Sequence, residues 1–354
     1  MKKIYNMNRI NQIAMIAVFL IPLISLNPLS AQPSQKEAVK LFQADAKPNA
    51  HVDFSKIDNY VLGLKTKKKI TEAELVSLIT QQSQTKLEKA RAIFIWIANN
   101  IAYDTSYKIT SQEEALKQGK GVCEAYSGLF KMFGELAGLE VVTVQGDSKP
   151  LFYKQPSDLN KGGHAWNAVK IDDGSWMIVD ATWGAGYVNN RVFTRKLSTH
   201  WFDPSPEIFI FTHFPKEDKW QLLNKPFTRD EFLRMPPLQP ELVSWGFNPD
   251  ATFSYFTKTK DASFPDQFSI DLQWKINMMP VCNELKVGKS YNFEFVLPQN
   301  EEVAIIFNKD FTHFKQDGNK SIATFTPEKK GSAILTVKQP NGKFGGVFKY
   351  EVKD

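Results

Sequence analysis

Apolar positions along this chain change their spacing part-way, and the change separates a helical stretch from a stranded one. Leu87, Ala90, Phe94, Ile97 and Ile101 recur at helical intervals behind Thr85 and Glu88, a capping-box pair, and predict a helix with one apolar stripe. Thr71 with Glu74 and Ser111 with Glu114 mark two further helix starts. Tyr126, Leu129, Phe130, Phe133, Leu136 and Ala137 carry the same period over residues 123–139, where Gly138 supplies the stop. The following apolar segments at 164–171 and 175–183 read as strands, joined by the turn Asp172-Asp173-Gly174. Beyond Met235-Pro236-Pro237-Leu238-Gln239-Pro240 the chain alternates, at 290–297, 302–307, 321–325, 332–337 and 345–352, with Asp317-Gly318 and Asn341-Gly342 as turns.

Helices first and antiparallel strands second give an α+β order. The expected organisation is a polar leader at 32–60, an α+β domain at 61–234 and an immunoglobulin-like β-sandwich at 241–354. A mature chain of about 320 residues exceeds what one core holds, which fits two domains.

Composition changes the picture mainly at the N-terminus. Lys2, Lys3 and Arg9 precede an apolar run from Ile13 to Leu26, and Leu29-Ser30-Ala31 follows it, the three-part form of a secretory signal over residues 1–31. The run is short for a membrane span and is interrupted by Pro22. The chain is therefore expected to be exported, periplasmic or extracellular, with no membrane span after cleavage. Three of its 44 basic residues and none of its 38 acidic ones fall in that segment, leaving 41 against 38. The basic cluster at Lys65, Lys67, Lys68 and Lys69 is short and reads as a solvated turn, so no nucleic acid is expected as a partner. Of the two cysteines, Cys282 reads as a free buried residue of the second domain, since pairing it with Cys123 would remove a nucleophile.

That nucleophile is the centre of the candidate chemistry. Gly121-Val122-Cys123-Glu124-Ala125-Tyr126, Gly163-His164-Ala165-Trp166-Asn167 and Val179-Asp180-Ala181-Thr182-Trp183 present a cysteine, a histidine and an aspartate in that order. A thiolate attacks carbonyl carbon, an imidazolium stabilises the thiolate, and a carboxylate fixes the imidazole. Gly121 is expected to turn the chain into the helix that Cys123 opens, where unpaired N–H groups favour an anion and can bond an oxyanion. Taken singly, each of the three reads more readily as a core or surface residue; their combination points to acyl chemistry.

Register decides whether His164 and Asp180 can meet. A two-residue turn at Asp173-Gly174 would put them on opposite faces. A three-residue turn with Gly174 left-handed pairs Ile171 with Ser175 and sets Trp166 opposite Asp180, so that His164 and Asp180 share a face. In that register Trp183, read as part of the strand, points away. There is no CxxC, no HExxH and no second cysteine near the first, so no metal or other cofactor is expected. His200 and His213 are read as packing beside Trp201 and Phe214.

The segments Ile97 to Asp104 (IANNIAYD), Gly119 to Tyr126 (GKGVCEAY), His164 to Val169 (HAWNAV), Trp176 to Gly186 (WMIVDATWGAG) and Pro206 to Leu223 together resemble the transglutaminase-like superfamily, a papain-like cysteine fold. Within it they resemble the kyphoscoliosis-peptidase-like group, and less than half the chain is covered. The resemblance implies a Cys123, His164, Asp180 triad acting on peptide or protein substrates. Ala125 stands where relatives often have glycine. Such folds include amide hydrolases, protein-glutamine transglutaminases and non-catalytic scaffolds, so the reaction stays open among these. A cysteine-dependent hydrolase is the preferred expectation. Tyr103, Trp96 and Asn100 are candidates for a second oxyanion donor, and Trp166 and Trp183 for lining the acyl channel. The β domain is expected to hold a protein partner or to pack on the catalytic one.

Overall fold

Two hydrophobic clusters organise the computed structural model, which describes residues 41–42, 52–65, 70–160, 163–259, 262–268, 273–298 and 301–354. The expected signal segment 1–31 lies outside them. No helix of the described residues is long and apolar enough to cross a membrane.

The first cluster forms where the helix Lys86–Asn100 meets the helix Cys123–Leu136 and an antiparallel sheet. Thr71 and Thr85 close their capping boxes with Glu74 and Glu88. The stripe expected on Lys86–Asn100 is buried, and so are Arg91, Ala92, Ile93, Ile95, Trp96 and Ala98, so this helix is enclosed on nearly every side. Arg91 survives burial because its guanidinium meets both carboxylate oxygens of Asp58, at 2.8 and 2.7 Å. Asp58 belongs to the helix Ser55–Leu62, so the end of the expected polar leader is in fact structured.

The sheet runs Trp176–Val179, His164–Lys170, Glu140–Ser148, His213–Pro215, all neighbours antiparallel. The hairpin of its first two strands has the three-residue turn. Gly174 is left-handed at φ 84°, Ile171 N–H donates to Ser175 O at 3.0 Å, and Lys170 pairs with Trp176 through to Asn167 with Val179. Asp172, at the turn, also accepts the N–H groups of Lys86 and Leu87 at 3.0 and 3.2 Å, tying the hairpin to the start of the buried helix.

The second cluster lies in a β-sandwich. One sheet contains Glu284–Lys286, Phe344–Lys353, Gly331–Lys338, Val303–Phe307 and Asp310–His313, with Asp266–Gln267 on Phe344–Lys353. The other contains Lys275–Met278, Tyr291–Val296, Lys320–Phe325 and Lys315–Asp317. Phe307 meets Phe325 at 5.5 Å and Phe293 meets Tyr350 at 6.1 Å across the gap. Pairing is antiparallel except for Glu284–Lys286 against Phe344–Lys353.

The packing boundary falls earlier than Met235–Pro240. Ile210, Phe211, Phe227, Phe232 and Leu238 join the second cluster, as do Leu41 and Phe42 from the leader. The stretch after Pro240 opens with the helices Glu241–Ser244 and Pro249–Lys258 before any strand.

Lys149 sits at this seam. It is fully buried at the end of Glu140–Ser148, and its Nζ donates to Phe232 O and to Met235 O (2.7 Å for the latter), 4.1 Å from the Phe232 ring centre. With no carboxylate among these partners, burial lowers its ammonium to about 7 from 10.5. The native chain therefore releases this proton before the unfolded chain does, and the group's contribution to stability rises with pH from about 7 to about 10. In urea unfolding, wild type should gain on Lys149→Met between pH 6 and 9. A difference that stays constant with pH would show that the buried amine does not titrate in the native state.

Candidate active site

Three separate segments fix the site. Cys123 is the first residue of its helix, and no side chain caps that helix at Val122. Gly121 does not use a glycine-only conformation here. It is required by closeness, since a Cβ would lie 2.7 Å from Ala125 Cβ and 3.0 Å from Ala115 Cβ. The parallel pairing of Ala102–Tyr103 with Lys120–Gly121 sets Tyr103 directly opposite Gly121. Asp104 next to it accepts the N–H groups of Ser106, Lys108 and Ile109, and Ile109 O in turn accepts Val122 N–H at 2.9 Å. The residues around Asp104 thus hold the loop beside the cysteine.

His164 begins its strand, and Asn167, three residues on, donates from Nδ2 to Ser127 O at 3.0 Å. That bond locks the histidine strand to the cysteine helix. His164 Nε2 lies 2.7 Å from Asp180 Oδ2, which leaves Nδ1 as the ring nitrogen free to serve Cys123. Burial opposes charge on His164, but the Asp180 carboxylate and then Cys123 outweigh it and raise its proton affinity. Burial likewise opposes the Asp180 carboxylate, and the charge and hydrogen bond of His164 overcome it and hold the acid ionised. Cys123 is 8% exposed and His164 7%, whereas Asp180 is fully enclosed. Cys123 and His164 thus keep a small exposed fraction, whereas the carboxylate behind them has none. Cys123 Sγ also donates to Glu124 Oε2 at 3.2 Å. Cys123 and Cys282 form no disulfide, and both are buried.

Asp180 is not in a strand that continues to Trp183. The strand ends at Val179, and Asp180 caps the short helix Ala181–Ala185 by accepting Trp183 N–H on Oδ1 at 2.9 Å. This turn reverses the expected direction of Trp183, whose ring lies 5.6 Å from that of His164. Trp183 is half-buried and borders the site. Trp166 is 1% exposed and packs 5.9 Å from His164 within the core, where it cannot line a channel.

The oxyanion candidates separate as clearly. Tyr103 is beside the thiol: burial, then the charge of Cys123, raises its phenol and keeps it protonated. Trp96 packs on Phe133 at 5.5 Å, and Phe133 is ten residues into the cysteine helix, about 15 Å along its axis. Asn100 donates to Trp96 O of its own helix at 2.8 Å. Neither side chain hydrogen-bonds Cys123.

His213 packs among aromatic rings as its sequence context suggests, but it also bonds Asp180 Oδ2 from Nε2 at 3.1 Å. Nothing in its spacing announces this, because the aromatic segment around it reads as core. His164, Asp180 and His213 place possible ligand atoms within 4.8 Å of one another, the only such group with metal-ligand spacing among the described residues. Both rings already bond the carboxylate directly, so an ion there would have to break both contacts, and the donor set fits a hydrogen-bonded network better.

Residues 73–181 match the profile of the transglutaminase-like superfamily, and the chain carries a transglutaminase-like domain there. Over 211 residues it is 35% identical to kyphoscoliosis peptidase of Homo sapiens, covering 57% of this chain and 31% of that protein. Over 239 residues it is 28% identical to Hillarin of Drosophila melanogaster, covering 62% and 29% respectively. The chain thus spans under a third of the length of these curated relatives. A solved TGase structure is 18% identical and covers 42% of this chain and 37% of its own, with a TM-score of 0.26.

Proposed function

We propose that this chain is an exported, cysteine-dependent amide hydrolase acting on peptides or proteins. The observation that carries the reading is the buried His164–Asp180 pair, 2.7 Å apart, whose imidazole is raised in proton affinity by Asp180 and then by Cys123 at the start of its helix. The Cys123 thiolate attacks the amide carbonyl, and the C–N bond breaks as His164 gives its proton to the leaving amine. His164 then takes a proton from water as the water attacks the thioester, which releases the acid and returns the thiol. The Cys123 N–H supplies one oxyanion donor and the Tyr103 hydroxyl the second. The β-sandwich is assigned a partner-binding or supporting role, and Ala31 the end of the export signal.

Transglutamination shares the acyl-enzyme and differs in admitting an amine in place of water. It requires a sheltered amine channel. Trp183, turned toward His164, gives one aromatic wall and keeps this second reading in view. The burial of Trp166 removes the other wall and favours hydrolysis.

A glutaminyl peptide and a primary amine supplied together, with products followed by mass spectrometry, should give cleavage or deamidation that depends on Cys123. Predominant amine incorporation would make the chain a transglutaminase. The absence of either product across a panel of peptides would favour a scaffold that keeps the fold without turnover. Tyr103→Phe should slow the reaction by about tenfold to a hundredfold with little change in KM if its hydroxyl meets the oxyanion.

A further inference from the structure

We propose that His213 is a positioning residue of this site, holding Asp180 through its Nε2–H so that the carboxylate presents Oδ2 to His164; the assignment rests on the acyl-transfer reading above. His213 lies beyond the matched region 73–181, and 33 residues separate it from Asp180.

The hydrogen bonds around Asp180 form a closed set. Oδ1 accepts Trp183 N–H at 2.9 Å, and Oδ2 meets His164 Nε2 at 2.7 Å and His213 Nε2 at 3.1 Å. An ionised carboxylate only accepts, so both rings must donate. His213 Nδ1 lies 2.8 Å from Thr212 Oγ1. A neutral ring donating at Nε2 must accept at Nδ1; Thr212 Oγ1 also lies 3.1 Å from Phe209 O, and the assignment requires its proton on the His213 side, the shorter of the two contacts.

The surroundings keep the ring neutral. Phe209 stacks on it at 4.0 Å, and Trp183, Trp166 and Trp201 meet it at 4.6, 5.1 and 5.5 Å. The charged groups that face it are Asp180, which favours protonation, and His164, which opposes it. Burial dominates and lowers His213 to about 4. His213 thus stabilises the carboxylate without adding a charge that would compete with the His164 imidazolium.

Its backbone is held from two sides. His213–Pro215 pairs with Gly146–Ser148 at the edge of the catalytic sheet. Two residues before His213, Phe211 packs on Phe227, Phe253 and Phe256 of the second cluster, and one residue after it Phe214 stacks on Phe232 at 5.3 Å. The donor to Asp180 is therefore set in place by both cores.

The test is the pH profile of Cys123 alkylation by iodoacetamide in the full chain, read by peptide mass spectrometry with Cys282 as internal reference. His213→Gln can return an amide N–H near the Nε2 position and should keep the wild-type profile. His213→Phe fills the space without a donor. It should slow alkylation at pH 6 by about tenfold and move the acid limb up by about one unit. An unchanged profile in folded His213→Phe overturns the proposal. Should that variant fail to fold, His213→Asn, whose amide stops short of Asp180, replaces it in the comparison, and equal profiles for Asn and Gln overturn the proposal. Separately, ¹⁵N NMR of the wild type should show His213 neutral with the proton on Nε2 from pH 5 to 8, and titration within that range also overturns it. Wild-type Cys123 reacting no differently from Cys282 would instead defeat the acyl-transfer reading, a failure the NMR result keeps separate.

Discussion

Cys123→Ala should abolish the one-equivalent burst of p-nitrophenol that an acyl-forming thiol gives with p-nitrophenyl acetate, and should lower amide turnover by on the order of 10⁴- to 10⁶-fold. The effect is large because, in the proposed reaction, Cys123 forms the covalent bond while His164 carries the proton. His164→Ala should fall nearly as far. The double variant should be little worse than either single one, since groups that act together lose their joint effect once. Cys282 offers no substitute: it is 1% exposed and lies within the second unit, with Tyr255 Oη 3.5 Å from its sulfur. A burst that survives in Cys123→Ala and disappears in Cys282→Ala would overturn the assignment of the nucleophile.

Asp180→Ala should damage both activity and stability. Removing the carboxylate leaves His164 Nε2, His213 Nε2 and Trp183 N–H without their acceptor, in a site where Asp180 and His213 have no solvent exposure. Breaking a buried charge pair from one side costs about 3–5 kcal/mol, which should appear as a fall of on the order of 10 °C in Tm. Asp180→Asn keeps the size but puts an N–H where an acceptor is needed, and should lose about 10⁴-fold in turnover with a smaller fall in Tm.

The pH dependence of stability follows from the same pair. The Asp180 acid is depressed, so its contribution is complete above about pH 4 and is lost as acid protonates the native carboxylate. His164 is raised, so its contribution is complete below about pH 6.5 and is lost as alkali strips the native imidazolium. The pair stabilises most between those limits. Asp180→Asn should flatten the wild-type stability profile on both sides, and a variant that kept the wild-type curve would show that other groups set it.

Much of the site was legible because its determinants are local. Thr85 and Glu88 mark the start of the buried helix, and Gly138 lies just past the end of the cysteine helix at φ 80°. The turn at Gly174 fixes a pairing in which Asn167 faces Val179, and the face of His164 follows from it by counting. The turn at Asp180 was less legible. Ala181-Thr182-Trp183 reads as a continuing strand, yet a side-chain acceptor at Asp180 that captures Trp183 N–H starts a helix there, and an indole expected to point away borders the site instead.

By itself the sequence determined three helix starts, half of the second unit's strands and the order of cysteine, histidine and aspartate, since each depends on residues within a few positions of one another; it left the hairpin register between two turns. Only the tertiary structure decided which of the aromatic candidates reach the thiol, that Phe211 and Leu41 belong to the second core, and that His213 shares the carboxylate of Asp180. Those outcomes depend on contacts between segments distant along the chain. Such contacts leave no period or turn signal behind, and they are selected by the burial of whole surfaces and by the need of each enclosed polar group for a partner.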